Sequence, residues 1–215
     1  MRHAELDHDF GRGSAPAPAS RLAISPRSAR SYHRHMGSIT VRQACVKDAK
    51  AMARVHVQSW QETYRGLMAD EILDRPGFVE RRERFWAAAL GDERYSANRV
   101  AVAERGGEPV GIAMAGPAED PDAHWPVQLF VLYVLAADHG RGAGHGLLAA
   151  VIGNDQAALW VADPNPRAQA FYRKHGFRPD GARKHDRDRD LDEIRMVRHA
   201  ADPPSRTRAR ISNDW

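Results

Sequence analysis

Four glycines alternate with other residues along one short stretch of the chain, at Gly140, Gly142, Gly144 and Gly146. The apolar run before them, 127–135, is rich in β-branched and aromatic residues, which predicts a buried strand, and the apolar spacing after them predicts a helix. Glycines let the backbone approach a ligand closely, and the amides of a first helical turn have no intrahelical acceptor. The pattern therefore predicts a site for a phosphate-bearing ligand.

Two well-known glycine loops do not fit this stretch. A Walker loop needs Lys followed by Ser or Thr after its last glycine, whereas His145 and Gly146 follow Gly144 here. A dinucleotide fingerprint has the order G-x-G-x-x-G, and these glycines alternate too tightly for it. The loop alone also leaves open a glycine-rich turn with no ligand, so the rest of the chain has to decide.

Composition limits the class of protein. A chain of 215 residues with 42% hydrophobic residues has room for one ordinary domain with a real core. The 32 basic and 28 acidic residues give a mixed surface, so we expect neither nucleic acid nor a membrane as a partner. The single cysteine, Cys45, excludes an internal disulfide and fits a reducing compartment, and no apolar run reaches membrane-spanning length. These features predict a cytoplasmic protein.

The chain divides into one patterned segment and two tails. Residues 1–36 and 200–215 lack apolar periodicity and are expected to be disordered, which leaves 37–199 as the domain. Within it, strand-like runs begin at residues 39, 99, 110, 127, 157, 177 and 191, and helical patterns begin at residues 49, 70, 78, 145 and 165. The charges of 183–190 alternate in sign, which predicts a solvated loop or hairpin tip.

Three segments of this domain resemble one family. Leu132–Leu148 is similar to motif A of the GNAT superfamily, the acyl-CoA-dependent N-acyltransferases, whose loop has the pattern (Gln or Arg)-x-x-Gly-x-(Gly or Ala). Asn165–Phe177 resembles the superfamily's Asn-x-x-Ala-x-x-Phe-Tyr…Gly-Phe segment, and His56–Leu67 is similar to the first helix of one bacterial branch. The resemblance implies an α/β fold of the α+β type, with a mixed, largely antiparallel sheet that is splayed at its central strands and flanked by helices.

The resemblance also implies acetyl-CoA as co-substrate and no metal. The diphosphate would lie on the glycine loop, and the pantetheine arm would bind along the end of the preceding strand. His139 stands where Gln or Arg is usual, a change that matters little if backbone amides bind the phosphates. The residues expected to bind the cofactor are Tyr133, Val134, Leu135, His139, Gly140, Arg141, Gly142, Ala143, Gly144, Asn165 and Tyr172.

The sequence specifies the catalytic residues less clearly than the residues that bind the cofactor. The resemblance puts the hydroxyl of Tyr172 near the leaving sulfur as a hydrogen-bond donor or general acid, whereas the residues alone also allow a core tyrosine. Gln128 occupies a region where many relatives carry a glutamate base, and an amide cannot accept the proton. Asp120, Asp122 and His124 precede that strand and are candidate bases or ordinary loop residues.

Trp60 and Tyr64 lie four residues apart on one predicted helical face. Together with Gln128 they are predicted to bind the acceptor. Packing of Trp60 and Tyr64 in the core is an equally open alternative. Glu62 would either attract an amine or be solvated. The implied function is transfer of the acetyl group of acetyl-CoA to a primary amine in a ternary complex, with a small-molecule acceptor. Acceptors in proteins or aminoacyl-tRNA, a non-catalytic acyl-CoA sensor, and a homodimer stay open.

Overall fold

The computed structural model describes residues 37–199, and both predicted tails lie outside the described residues. Within that range the chain forms seven strands and five α-helices. In chain order they are β1 (Ile39–Gln43), α1 (Ala49–Tyr64), α2 (Asp70–Leu73), α3 (Phe78–Gly91), β2 (Arg99–Arg105), β3 (Glu108–Pro117), β4 (Val127–Val134), α4 (Ala143–Val151), β5 (Ala157–Ala162), α5 (Pro166–Lys174), β6 (Arg178–Asp186) and β7 (Leu191–Arg198). None of these helices is long and apolar enough to cross a bilayer.

The strands form one sheet in the order β1-β2-β3-β4-β5-β7-β6. Every neighbouring pair is antiparallel except β4 and β5, which are parallel and are joined by a crossover through α4. Those two strands pair only between Val127–Leu129 and Ala157–Leu159, and they separate beyond these residues. The predicted mixed, largely antiparallel sheet, parted at its central strands, is thereby confirmed.

Helices cover both faces of the sheet, and each face has its own apolar core. On one face α1 and α3 bury Met52 and Trp86 completely. On the other face α4 buries Leu147 against Phe177, again with no exposure of either side chain. Burying such side chains stabilises the fold by roughly 1.5–3 kcal/mol each. The two cores therefore pack against the parted strands from both sides.

The segment of alternating charge, 183–190, belongs to the β6–β7 hairpin, as the second predicted alternative, a hairpin tip, requires. Strand β6 continues through Arg183 to Asp186, and only 187–190 form the turn into β7. Because β6 is the last strand in the sheet order, most of its side chains are exposed and carry charge at no desolvation cost. Charged side chains are common on edge strands, where they discourage pairing with other chains. The alternation of sign therefore marks an edge strand and not an irregular loop.

Candidate active site

A cleft of about 860 Å³ opens where β4 and β5 separate, a size typical of small-molecule sites. Its walls come from the end of α1, the part of β4 that does not pair with β5, the glycine loop, β5, α5 and the β6–β7 hairpin. Of the residues predicted to form the site, the cleft is lined by Tyr64, Tyr133, Val134, His139, Gly140, Gly142, Gly144, Asn165 and Tyr172. The fold thus brings segments from both halves of the domain to one opening in the sheet.

The glycine loop lies at one end of this cleft. Gly142 directly precedes α4 with φ of +89°, in the left-handed region that costs other L-residues free energy. Gly146 is required for a different reason, since a Cβ there would lie 2.8 Å from Cγ2 of Val41. Gly144 and His145, in the first turn of α4, line the cleft, where amides without an intrahelical acceptor favour an anion.

The last residues of β4 differ in what they offer to a ligand. The carbonyl oxygen of Val134 lies 2.7 Å from Nε2 of His139, so the histidine ring folds back onto the strand end. Leu135 donates its N–H to the oxygen of Val110 at 2.9 Å and accepts from the N–H of Asp138 at 2.9 Å. Leu135 is therefore engaged within the fold, and the structure does not bring it to the cleft.

Tyr172, on α5, is buried and lines the cleft. Its ring packs edge-on against Phe171 and Phe177, and burial raises the pKa of its hydroxyl well above the ordinary value for tyrosine. The hydroxyl is therefore a donor at neutral pH. Asn165 caps α5 by accepting from the N–H of Ala168 at 3.0 Å and also lines the cleft, so both positions predicted for this segment face the opening.

The end of α1 closes the opposite side of the cleft. Tyr64 lines it, and burial raises the pKa of this phenol well above its ordinary value. Trp60 is not among the lining residues; it packs behind Tyr64, with ring centroids 5.8 Å apart. Glu62 is not simply solvated, because its Oε2 accepts from the N–H of Ala136 at 2.8 Å and ties α1 to the turn after β4.

The three candidate bases before β4 lie outside the cleft. The carboxylate of Asp122 accepts hydrogen bonds from both terminal nitrogens of Arg195 at 2.7 Å, and these bonds lower the pKa of the carboxyl group. Asp120 accepts from Nε1 of Trp160 at 3.1 Å and also lies near Arg195. His124 is exposed. The two aspartates fasten the loop to β5 and β7, and none of the three residues lines the cleft, so the structure offers no geometric support for any of them as a base.

Three other predicted residues also stay outside the cleft. The side-chain oxygen of Gln128 accepts from the N–H of Glu119 at 3.1 Å, so this buried amide supports the loop before β4. Arg141 is exposed, with its Nε 3.9 Å from Oδ1 of Asp138, and the side chain of Ala143 packs into the core. The structure thus does not place Gln128 where an acceptor would bind.

Comparison with known proteins identifies the family. Residues 96–179 match a family model described as the acetyltransferase (GNAT) domain. The chain is 29% identical over 154 residues to a probable N-acetyltransferase of Mycobacterium tuberculosis, a match that covers 67% of this chain and 82% of the relative. Residues 96–179 of this chain form a GNAT acetyltransferase domain. The prediction made from the three motif-like segments is confirmed.

Solved structures share the fold of this GNAT chain. A PaiA N-acetyltransferase from Thermoplasma acidophilum, in complex with coenzyme A, matches with a TM-score of 0.56 and 18% identity over 75% of this chain and 98% of that chain. An acetyltransferase from Thermus thermophilus matches with a TM-score of 0.54 and 25% identity over 76% of this chain and 98% of that chain. Both matches extend across nearly the whole of the solved chains.

Two residues of the GNAT cleft were missed by sequence reasoning. Glu193 of β7 is 5% exposed and lines the cleft, with Oε1 3.5 Å from Nη1 of Arg189 and Oε2 3.3 Å from Nζ of Lys184. Arg189 also lines the cleft and is held by a hydrogen-bonded ion pair with Asp186. No local signal in β7 could have identified Glu193, because the same strand also carries Asp192, Arg195 and Arg198.

Proposed function

We propose that this GNAT chain transfers the acetyl group of acetyl-CoA to the nitrogen of a small primary amine, with both substrates bound at once. The observation that carries the proposal is the opening between β4 and β5, which has the glycine-flanked start of α4 at one end and a buried carboxylate, Glu193, among its other lining residues. The coenzyme A bound to the Thermoplasma relative supports the choice of cofactor. The single Cys45 of the sequence fits action in the reducing cytoplasm.

The chain's own groups suit the parts of acetyl-CoA. The first-turn amides of α4, at Ala143, Gly144 and His145, would bind the diphosphate oxygens. The edge of β4 that lacks pairing to β5, around Tyr133, would offer backbone groups to the pantetheine arm as an added strand does. An N–H group of the same edge would polarise the thioester carbonyl and stabilise the negative charge that develops on its oxygen.

The hydroxyl of Tyr172 is suited to stabilise the leaving sulfur. Attack by a neutral amine breaks the carbon–sulfur bond and leaves negative charge on sulfur, which a hydrogen-bond donor stabilises. Burial raises the pKa of Tyr172, so its hydroxyl keeps its proton at the pH where the amine reacts. The amine must first lose a proton, because a primary ammonium is mostly protonated at pH 7.

A small acceptor fits the part of the cleft that remains beside the thioester. That part is bounded by Thr63 and Tyr64 from α1 and by Arg189 from the β6–β7 turn. The acceptor pocket also holds both signs of charge, since Arg189 and Glu193 face it together. A compact amine therefore suits it better than a macromolecular acceptor.

Two measurements test the proposal. Titration calorimetry with acetyl-CoA should give a saturable heat, and no binding at millimolar ligand would refute the cofactor assignment. Release of free thiol from acetyl-CoA should then be measured with putrescine, spermidine, L-lysine, phenethylamine, glycine, a lysine-rich peptide and aminoacyl-tRNA. Release with a small amine supports the proposal, and release only with the peptide or tRNA replaces the acceptor class. Binding without any release would make the chain an acyl-CoA sensor.

A further inference from the structure

We propose that Glu193 is the base that removes the proton from the acceptor's ammonium group. This inference rests on the proposed function and deepens it, because it supplies the proton acceptor that Gln128 cannot be. Glu193 lies on β7, beyond all of the glycine-loop and α5 positions that carry the family resemblance. Three observations support the assignment, namely its burial, the lack of a competing carboxylate and its position on the sheet.

The first observation is a buried carboxylate with spare hydrogen-bonding capacity. Glu193 is 5% exposed, and its Oε2 has no hydrogen-bond partner among residues 37–199, although Nζ of Lys184 lies 3.3 Å away. A buried charged oxygen without hydrogen bonds costs free energy, and a ligand that donates to it recovers that cost. Because Glu193 lines the cleft, an ammonium group bound there could donate to Oε2.

The second observation concerns the acidic residues that line the cleft, which are Glu62, Asp138 and Glu193. Both carboxylate oxygens of Glu62 are occupied, one by the N–H of Ala136 at 2.8 Å and the other by the amide of Gln58 at 2.9 Å. Asp138 lies in the turn before the glycine loop, paired with Arg105 at 2.9 Å, where the phosphates would bind. Among the described residues, Glu193 remains as the carboxylate suited to an amine.

The third observation is the face of the sheet on which Glu193 lies. Side chains alternate along β7, so Glu193 shares a face with Leu191, which packs with Tyr64 of α1, whereas Ile194 packs with Tyr172 on the other face. In the pairing of β5 with β7, Glu193 stands opposite Ala162, another lining residue. The proposed base and the proposed acid therefore approach the parted strands from opposite faces.

This arrangement balances the protons of the reaction. The ammonium gives one proton to Glu193, and the freed nitrogen lone pair forms the carbon–nitrogen bond. The carbon–sulfur bond breaks with its electron pair on sulfur, which takes the hydroxyl proton of Tyr172. The nitrogen then loses its second proton, which restores the hydroxyl of Tyr172, and Glu193 passes its own proton to water. One proton is released to solvent for each amide formed.

The test compares Glu193→Gln with Asp192→Asn. Asp192 is the preceding residue of β7, exposed and on the opposite face, so its variant controls for the loss of one charge from the strand. Thiol release is measured from pH 6.5 to 10 with the best amine of the panel, and acetyl-CoA affinity is measured by calorimetry. We expect kcat/KM for the amine to fall about 10²-fold or more at pH 7 in Glu193→Gln. The deficit should shrink as pH rises, because the amine then loses its proton in solution, and acetyl-CoA affinity should change less than twofold.

Several outcomes would overturn the inference. If Glu193→Gln keeps more than a third of wild-type kcat/KM at pH 7, Glu193 is not the base. A loss of equal size at every pH, together with a lower melting temperature, would instead show that Glu193 only holds β6 and β7 through Lys184. If the glutamine variant does not bind acetyl-CoA, Glu193→Ala with added sodium formate replaces it. Rescue by formate supports the role, and failure of rescue in a folded variant contradicts it. Absence of thiol release by the wild-type protein would refute the proposed function itself, which is a separate result.

Discussion

The carboxylate of Asp138 lies 2.9 Å from Nε of Arg105, and this ion pair joins the turn before the glycine loop to the end of β2. Asp138 is 1% exposed, whereas the side chain of Arg105 is 26% exposed. The pair therefore holds a buried negative charge in the turn that directly precedes the glycine loop. Its contribution is best seen by removing the cation, because among residues 37–199 the carboxylate then has no close partner of opposite charge except Arg141 at 3.9 Å.

Replacing Arg105 by methionine should lower the free energy of unfolding by about 3 kcal/mol, since removal of one partner of a buried pair leaves an uncompensated charge. Urea unfolding at pH 7 measures the change. Arg94→Met is the matched control, because Arg94 forms an ion pair with Asp92 at the surface and should cost less than about 1 kcal/mol. Equal losses in the two variants would show that the pair of Arg105 with Asp138 contributes no more to the free energy of unfolding than the surface pair does.

The backbone conformation of Gly142 should matter for binding and not only for stability. Alanine at this position keeps φ near +89° at a cost of about 1–2 kcal/mol or shifts the start of α4. We expect Gly142→Ala to weaken acetyl-CoA binding about tenfold, measured by calorimetry, because the first-turn amides move. Gly106→Ala carries a similar strain, with φ of +61° in the turn between β2 and β3, away from the cleft. It should lower stability but leave acetyl-CoA affinity unchanged, and a loss of affinity in both variants would contradict the prediction.

The resemblance to the GNAT superfamily predicted the fold, and local patterns predicted the elements around the glycine loop. The apolar run of β4, the glycines after it and the Asn-Pro start of α5 are each set by neighbouring residues, and the structure has each of them at the predicted place. The acceptor end could not be predicted in the same way. Glu193 and Arg189 reach the cleft only because the β6–β7 hairpin pairs with β5, and no local pattern specifies that pairing.

Asp120, Asp122 and Gln128 lie outside the cleft for a common physical reason. Asp120 and Asp122 were plausible bases because they precede β4, but their charges are matched by Arg195, which is distant in sequence. Gln128 appeared to mark a missing base, and its amide instead serves the backbone of the preceding loop. In each case a long-range partner determines what a polar side chain can do, and a sequence alone does not reveal that partner.

Tyr172→Phe should reduce kcat about 10²-fold or more while leaving acetyl-CoA affinity within about threefold, because the variant loses the donor to sulfur but keeps the packed ring. Because burial raises the pKa of Tyr172, its protonated form persists through pH 10, and wild-type activity should show no decline from its ionisation below that pH. Thiol release across this range checks both points. Tyr95→Phe, outside the cleft, should behave as wild type. Full turnover by Tyr172→Phe would exclude the acid role.

His56 makes the stability of the domain depend on pH. It is 3% exposed on α1, neither ring nitrogen has a hydrogen-bond partner among residues 37–199, and its ring packs against Tyr133, Trp60 and Trp86. Burial, together with the positive charges of nearby arginines, lowers its pKa well below the ordinary value. The folded chain therefore keeps this histidine neutral at a pH where the unfolded chain would protonate it.

The sign of the effect follows from this difference in bound protons. Below the unfolded pKa of about 6.5 the unfolded chain binds a proton that the folded chain does not, so stability falls as pH falls, by up to about 1.4 kcal/mol per pH unit. His56→Phe keeps an aromatic ring and removes the titration, so its stability relative to wild type should rise by about 2 kcal/mol between pH 7.5 and pH 5. Urea unfolding at pH 5, 6 and 7.5 measures this difference, in which the titration of all other groups cancels. His124→Phe, at an exposed histidine, is the matched control for replacing a histidine by phenylalanine. A constant difference between His56→Phe and wild type at the three pH values would mean that His56 titrates alike in the folded and unfolded chains.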